Sequence, residues 1–304
     1  MSAGPTIHNF SHDALQCRFW IRIADEDAVY ARNAAEAIFQ LLDDLDFQTD
    51  LRHDSGPVAS INSMPEGAMV AASDHIRALW GFGETMGEES AGAFNVTAGN
   101  LFKYWSKRGE LPFNQDDAEW GQVVNSTRDG KFKLEGCELT CVKAGAAVDF
   151  GAITRGYALD RMADMLESNW GIHRALLMAS GSVTLALDPP GDSSGWRIGV
   201  GSRSEIKLCR FAFASKSTQD RHGNLVDPRT GLAVQLSSPV RAIANSAMEA
   251  EGLAMAAAVL SGAELEELLN RGCSRGAWLP DDSRLGSITY FEVTDRSENQ
   301  STTT

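Results

Sequence analysis

Hydrophobic and polar positions along this chain repeat with two different periods, which predict strands in some segments and helices in others. Apolar and polar residues alternate across Cys17–Ala24, and a period of two is typical of a half-buried strand. Across Asp25–Asp46 the apolar residues recur every three to four positions instead, which predicts a long helix with one apolar stripe. Val240–Ala244 has the pattern of another strand.

The stretch Ala147–Asp160 combines the features of a phosphate site. A short apolar run, a small-residue loop and helical spacing from Gly156 onward predict a strand, a tight loop and a helix. Backbone N–H groups at the start of a helix have no partner within the helix and can bind phosphate. Arg155, one residue before the predicted helix, adds a planar positive group suited to phosphate. A similar turn without any ligand is the alternative interpretation.

Turn and cap signals mark further elements. Asp227–Gly231 places Asp and Pro where a type I turn favours them, and Ser246–Glu249 has the form of a capping box that opens a helix. That helix is predicted to end near Leu260. The other predicted elements are a helix capped by Ser73, strands at 121–124, 131–134, 174–187 (with a Ser-Gly-Ser break), 195–200 and 206–214, a helix over Ala263–Arg271, a strand over Ile288–Thr294 and a disordered tail over 297–304.

The acidic charge balance of the chain excludes some classes of partner. The formal net charge is -14 and the sequence pI is about 4.9, and such a surface repels nucleic acid and anionic membrane. The five cysteines are scattered and odd in number, which favours a reducing compartment over a disulfide framework. Met1–His12 lacks the basic and apolar runs of a targeting segment. We therefore expect a cytoplasmic protein that binds no nucleic acid and does not insert into membranes.

Five segments of the chain occur in the order typical of one protein family. An Asp-Pro-Arg-Thr-Gly turn is present letter for letter, and the other four matches are weaker individually. Together they extend from about residue 15 to 295, and on them the chain resembles the ApbE family, the FAD:protein FMN transferases. The matched segments are Asp54–Asn62, Ala93–Thr97, Asp149–Asp160, Asp227–Gly231 and Ala250–Ala254.

The resemblance implies both a fold and an activity. The fold would be α+β, an ApbE-like two-lobed architecture with mixed sheets flanked by helices, as a single domain over residues 1–296. The protein would bind FAD between the lobes and, with Mg²⁺, move FMN onto a Thr or Ser of a flavin-acceptor protein. A catalytically weakened flavin-binding relative and an FAD pyrophosphatase are the alternatives.

The matched motifs also imply which residues form the site, although no catalytic residue is assigned. The metal ligands would be the carbonyl of Ala152 and the carboxylate of Glu251. Phe94 could equally be core, Asp149 a cap for its own loop, and Glu251 a first-turn acid favoured by the helix dipole. The flavin-binding residues implied by the resemblance are Ala93, Phe94, Asn95, Asp149, Arg155 and Ser215.

Several of these positions depart from the family pattern. Arg155 replaces a Lys, which keeps the charge but cannot act as a base. Met255 stands where the family has Thr or Ser, one turn after Glu251, and a thioether is a poor ligand for Mg²⁺. The other departures are Asn95 for Asp, Glu251 for Asp, Ser180-Gly181-Ser182 for Gly-Gly-Asp, Ala214-Ser215-Lys216 for Thr-Ser-Gly and Asn224 for His.

Overall fold

The computed structural model of the protein describes residues 6–108, 118–200, 204–217, 225–271, 276–278 and 293–295. The helices of this part are α1 (Ala28–Thr49), α2 (Pro57–Asn62), α3 (Asp74–Glu89), α4 (Gly99–Arg108), α5 (Ala118–Asp129), α6 (Thr154–Trp170), α7 (Ala247–Val259) and α8 (Gly262–Asn270). Its strands are β1 (Ile7–Ala14), β2 (Cys17–Ala24), β3 (Met69–Ala71), β4 (Lys131–Glu135), β5 (Glu138–Lys143), β6 (Ala175–Ala179), β7 (Val183–Ala186), β8 (Trp196–Gly199), β9 (Ser204–Leu208), β10 (Phe211–Lys216), β11 (Val226–Asp227), β12 (Leu232–Ala233), β13 (Val240–Ala244), β14 (Gly276–Trp278) and β15 (Val293–Asp295).

The main sheet orders its described strands β1-β2-β6-β7-β10-β13-β14, and every neighbouring pair is antiparallel. The class is α+β as expected, but the ladders of the described strands are not mixed. The pairs β1–β2 and β6–β7 are short hairpins, and the other neighbours in the sheet also pair antiparallel. Leu15 and Gln16 join β1 to β2 with positive φ angles of 48° and 62°, the conformation of a tight hairpin turn. Parallel pairing among the described residues is confined to isolated bridges such as the one between Ala98 and Ala147.

The two faces of the main sheet bury different cores. Phe19, Ile21 and Ile23 of β2 are fully buried toward α1, α6 and α7, which cover one face. On the opposite face, Phe213 of β10 packs with Trp196 in a second apolar cluster beneath the small sheet β8-β9-β15. Alternation along the strands therefore separates side chains that point toward the helices from those that point away.

Most predicted elements are found, with some corrections. The predicted strand at 121–124 is wrong, because these residues lie inside α5, which buries Val124 and Thr127. The predicted strand at 174–187 is a hairpin, in which Gly181 (φ 73°) forms the turn between β6 and β7. The segment 206–214 likewise divides into β9 and β10, while most of the predicted strand at 288–294, and the tail after residue 296, lie outside the described residues.

Helices α6 and α7 cross at very short distance where Gly156 meets the first turn of α7. A Cβ atom at Gly156 would lie 2.4 Å from the carbonyl oxygen of Ala247, which is far inside van der Waals contact. Glycine at this position thus sets the separation of the two helices. None of the described helices is long and apolar enough to cross a membrane.

Gly156→Ala should destabilise the protein, because the added methyl collides with backbone rather than with a movable side chain. We expect a loss of about 1–3 kcal/mol in the free energy of unfolding, typical of overpacking, measured by urea denaturation. Gly121→Ala in α5 is the matched control, since nothing lies within 4 Å of the added Cβ. It should be neutral or slightly stabilising, and an equal loss in both variants would contradict the crossing argument.

Candidate functional site

The segment before α6 is extended and buried, but it is not the strand that the apolar pattern predicts. Its backbone is joined to the neighbouring segment by a single bridge at Ala147, and α6 begins at Thr154, two residues earlier than predicted. Thr154 donates its hydroxyl to the carbonyl of Phe150 at 2.7 Å. Arg155 consequently lies in the first turn of the helix, with its side chain turned into the protein.

The predicted flavin-binding segment near residue 95 runs directly beside this extended segment. The amide of Asp149 donates to the carbonyl of Val96 at 2.8 Å, and a second backbone bond follows at the bridge. Ala93 and Phe94 are 3% and 4% exposed, and the ring of Phe94 packs edge-on against a core phenylalanine. The structure therefore brings residues 93–95 and Asp149 together, while Phe94 occupies a core position.

Asn95 and Asp149 both satisfy donors of their own loops. Asn95 accepts from the amide and the hydroxyl of Thr97 at 2.7 and 2.8 Å. Asp149 accepts from the amide of Gly151 at 2.8 Å. Burial raises the pKa of the Asp149 carboxyl, that amide opposes the rise, and the nearby Asp50 adds to it. Asp149 thus caps its own loop, and a role in flavin binding stays a prediction for both side chains.

The centre of the site is the carboxylate of Glu251, which α7 holds at 0% exposure. Its Oε2 atom accepts from the backbone amide of Gly156 at 2.7 Å. Its Oε1 atom lies 3.1 Å from a guanidinium nitrogen of Arg155 and 3.1 Å from the Nζ atom of Lys216. Both cations are buried, with residue exposures of 7% and 3%. Such a carboxylate is stable in the interior only because charged and backbone donors surround it.

Lys216 was not predicted as a site residue, although its side chain reaches Glu251. Its position on β10 also makes Ser215 a weaker candidate for flavin binding. Ala212 and Ala214 of β10 pack in the core beneath the helices, so Lys216 continues on that face and reaches Glu251. Ser215 points to the opposite face of the strand, the same face as Phe213, and therefore away from the carboxylate. Two features of the sequence could have indicated Lys216: it ends an apolar strand, and Glu251 is an acid within an apolar helix.

The two helices also cap each other. While Glu251 of α7 binds the amide of Gly156 in α6, Asp160 of α6 accepts from the amides of Ala247 and Met248 at 2.7 and 3.0 Å. These amides belong to the first turn of α7, where the helix dipole favours a carboxylate. Burial raises the pKa of Asp160 to about 6, against the opposing effect of the two amide bonds. The capping fixes Glu251 relative to Arg155.

The residues around Glu251 do not fit the Mg²⁺ expected at Ala152 and Glu251. Mg²⁺ binds oxygen at about 2.1 Å. The nitrogens of Arg155 and Lys216 each lie 3.1 Å from Oε1, so an ion on that oxygen would be at most about 5.2 Å from either nitrogen. At an effective dielectric constant of about 20, each cation would repel it by about 6 kcal/mol. Met255, one turn later, packs against the core. The described ranges contain no group of three or more His, Cys, Asp or Glu suited to a metal ion.

The Asp-Pro-Arg-Thr-Gly turn contacts α4, α5 and α8 and is held by its own ion pairs. The carbonyl of Asp227 accepts from the amide of Thr230 at 3.2 Å, as a type I turn requires. Arg229 pairs with Asp227 at 3.0 Å and with Glu264 of α8 at 2.7 Å. The carbonyl of Gly231 accepts from two tryptophan side chains at 2.9 and 3.2 Å. These contacts give the turn a structural role, while the Asn224 expected beside it lies outside the described residues.

Comparison with known proteins decides the family. A family model described as the ApbE family matches residues 15–277, which is most of the chain. The chain belongs to the ApbE family. No curated protein matches the sequence.

Solved structures show the same fold at low sequence identity. The flavin transferase ApbE from Vibrio cholerae is 19% identical with a TM-score of 0.79, covering 97% of this chain and 99% of its own. The flavinyl transferase ApbE from Pseudomonas stutzeri, in its apo form, is 19% identical with a TM-score of 0.78 over 97% and 96%. The ApbE protein from Thermotoga maritima is 21% identical with a TM-score of 0.76 over 97% and 98%. At these identities the likeness establishes the ApbE fold.

The raised pKa of Asp160 predicts a pH-dependent stability. Its ordinary value is 3.8, so the folded protein binds the extra proton between about pH 4 and 6. The contribution of this group to stability is therefore greatest below pH 4 and is lost as the pH rises through 6. Urea denaturation should show wild type losing up to about 3 kcal/mol relative to Asp160→Asn between pH 4 and pH 7.

Asp164→Asn provides the matched control for this measurement. Asp164 lies on the same helix, but its side chain is 55% exposed and pairs with Arg161 at the surface. Since water screens an exposed carboxylate, this variant should retain the pH dependence of wild type. A constant difference between wild type and Asp160→Asn across this pH range would contradict the burial argument.

Proposed function

We propose that this protein is a flavin transferase that moves FMN from FAD onto a threonine or serine of an acceptor protein. The pyrophosphate bond of FAD breaks, and the acceptor hydroxyl oxygen forms the new bond to the FMN phosphorus. AMP leaves with its phosphate, and the hydroxyl proton is released. Membership of the ApbE family over residues 15–277 supports this activity. The acceptor would be a separate, still unidentified protein.

The observation that carries the proposal is the buried guanidinium of Arg155 at the start of α6. Its Nε–H group is buried and has no hydrogen-bond partner among the described residues. The helix begins after Ile153 without a side-chain cap. The amides of Thr154 and Gly156 already bind Phe150 and Glu251, so the guanidinium of Arg155 is the donor that this helix start offers to a ligand. A buried donor without a partner is costly, and a phosphate oxygen of FAD would satisfy it.

A second buried donor without a partner among the described residues lies in the hairpin of β6 and β7, next to β10. The hydroxyl of Ser182 is buried and has no partner in the described part of the chain. Its backbone carbonyl accepts from the amide of Ser215 at 2.8 Å, which places the hairpin next to β10. Each of the two groups, the Arg155 guanidinium and the Ser182 hydroxyl, is a buried donor that an oxygen of an anionic ligand would satisfy. Binding roles for Ala93, Asn95, Asp149 and the other predicted residues follow from the family resemblance.

A flavin-binding protein without transferase activity is the second candidate. Two observations favour it, namely the two cations that hold Glu251 and the thioether of Met255 in place of an oxygen ligand. Both reduce the ability of the site to bind a divalent ion, which otherwise assists cleavage of a pyrophosphate. The two candidates share the FAD site and differ in the fate of the bound FAD.

Arg155→Met should weaken FAD binding by about tenfold to a hundredfold, the usual effect of losing a hydrogen bond to a charged group. Methionine keeps the apolar length of the side chain and removes the guanidinium. FAD binding is measured by titrating the purified protein and following flavin fluorescence. Arg77→Met in α3 is the control, because its side chain is 42% exposed and pairs with Asp74 on its own helix. Thermal melts confirm that each variant is folded.

Transfer is then tested by incubating wild type, FAD and an acceptor domain whose sequence has an Asp followed closely by Thr and a small residue. Addition of the FMN mass to the acceptor, together with release of AMP, supports the transferase. Saturable FAD binding without that mass gain favours the flavin-binding protein. Free FMN and AMP without a modified acceptor would indicate a pyrophosphatase. Absence of FAD binding contradicts all three.

A further inference from the structure

Two buried cations lie on Glu251, the residue to which the family resemblance assigns a divalent ion. We propose that Arg155 and Lys216, held on the Glu251 carboxylate, replace that ion, so that this chain binds the phosphates of its flavin without Mg²⁺. The ligand identity rests on the proposed function, whereas the exclusion of metal rests on the geometry of the apoprotein alone.

The hydrogen bonds of Glu251 show why a metal ion and the cations exclude each other. Oε2 is bound by the amide of Gly156 at 2.7 Å, and Oε1 is shared by the two cations at 3.1 Å. A hard divalent ion needs direct contact with a carboxylate oxygen and would have to displace these donors. Both cationic side chains are more than nine-tenths buried, so displacement would separate a buried cation from the Glu251 carboxylate at a cost in free energy.

The departures at three positions are mutually consistent with this replacement. Lys216 introduces an ammonium group where the family motif has Gly, and Met255 removes an oxygen ligand one turn after Glu251. Glu251 itself is one methylene longer than Asp. A single departure would merely damage a metal site, but an added cation together with a lost ligand substitutes positive protein charge for the ion. A fixed guanidinium and an ammonium are the groups that proteins use to bind phosphate directly.

The exclusion of metal is tested with Mn²⁺, a spectroscopic stand-in for Mg²⁺, added to the purified full-length chain without FAD. Free Mn²⁺ measured by electron paramagnetic resonance should show no site on wild type up to about millimolar concentration, the range of very weak binding. The double variant Lys216→Gly/Met255→Thr removes one cation and adds an oxygen ligand. We expect it to bind Mn²⁺ at least about tenfold more tightly than wild type. Adding Glu251→Gln to the double variant should abolish the gain.

Binding of Mn²⁺ to wild type that is lost in Glu251→Gln would overturn the proposal. A folded double variant that fails to bind Mn²⁺ would also overturn it, because the cations would then not be what excludes the metal. Where wild type binds FAD, a chelator should change the affinity less than twofold, and a larger loss would contradict metal-free binding. If wild type does not bind FAD, the proposed function fails, while the Mn²⁺ result still decides whether the cations replace the ion.

Discussion

A carboxylate without exposure to water is the constraint on which the centre of this structure depends. Glu251 would be strongly destabilising in the interior if it were alone, since an unpaired buried charge costs several kcal/mol. Three donors from two elements hold it: α6 supplies the amide of Gly156 and the side chain of Arg155, and the end of β10 supplies Lys216. The requirement to satisfy one side chain thus fixes two helices and the main sheet relative to each other.

The same requirement accounts for the close crossing of α6 and α7. Glu251 can reach the amide of Gly156 only if the helices approach without a side chain between them, and glycine at that crossing permits it. Asp160 of α6 in turn accepts hydrogen bonds from two amides in the first turn of α7. The centre of the candidate site is therefore built on two helix starts whose first-turn amides bind Glu251 and Asp160. The positive charge next to Glu251 comes from Arg155 and Lys216.

Local patterns in the sequence predicted the elements better than they predicted the site. The strands Cys17–Ala24 and Val240–Ala244 and the helix opened by Ser246 were predicted from periodicity and capping alone, because these signals are local. The strand predicted at 121–124 was wrong, since tertiary packing of Val124 and Thr127 favours a helix there. The family resemblance predicted Arg155 and Glu251 as site residues, but the ion pair of Glu251 with Lys216 depends on a contact between distant segments. No periodicity in one sequence reports such contacts.

The central claim is that the protein's own cations neutralise Glu251, and a double-mutant cycle tests it most directly. The free energy of unfolding is measured by urea denaturation for wild type, Glu251→Gln, Lys216→Met and the double variant. Glu251→Gln should cost about 3–5 kcal/mol because it removes the carboxylate that two buried cations share. Lys216→Met should cost less, about 1–3 kcal/mol, because Glu251 keeps the guanidinium of Arg155 and the amide of Gly156. The double change should cost less than the sum by about 1–3 kcal/mol, the coupling of a directly interacting pair. Additive losses would mean that the two groups do not interact, and they would contradict the account.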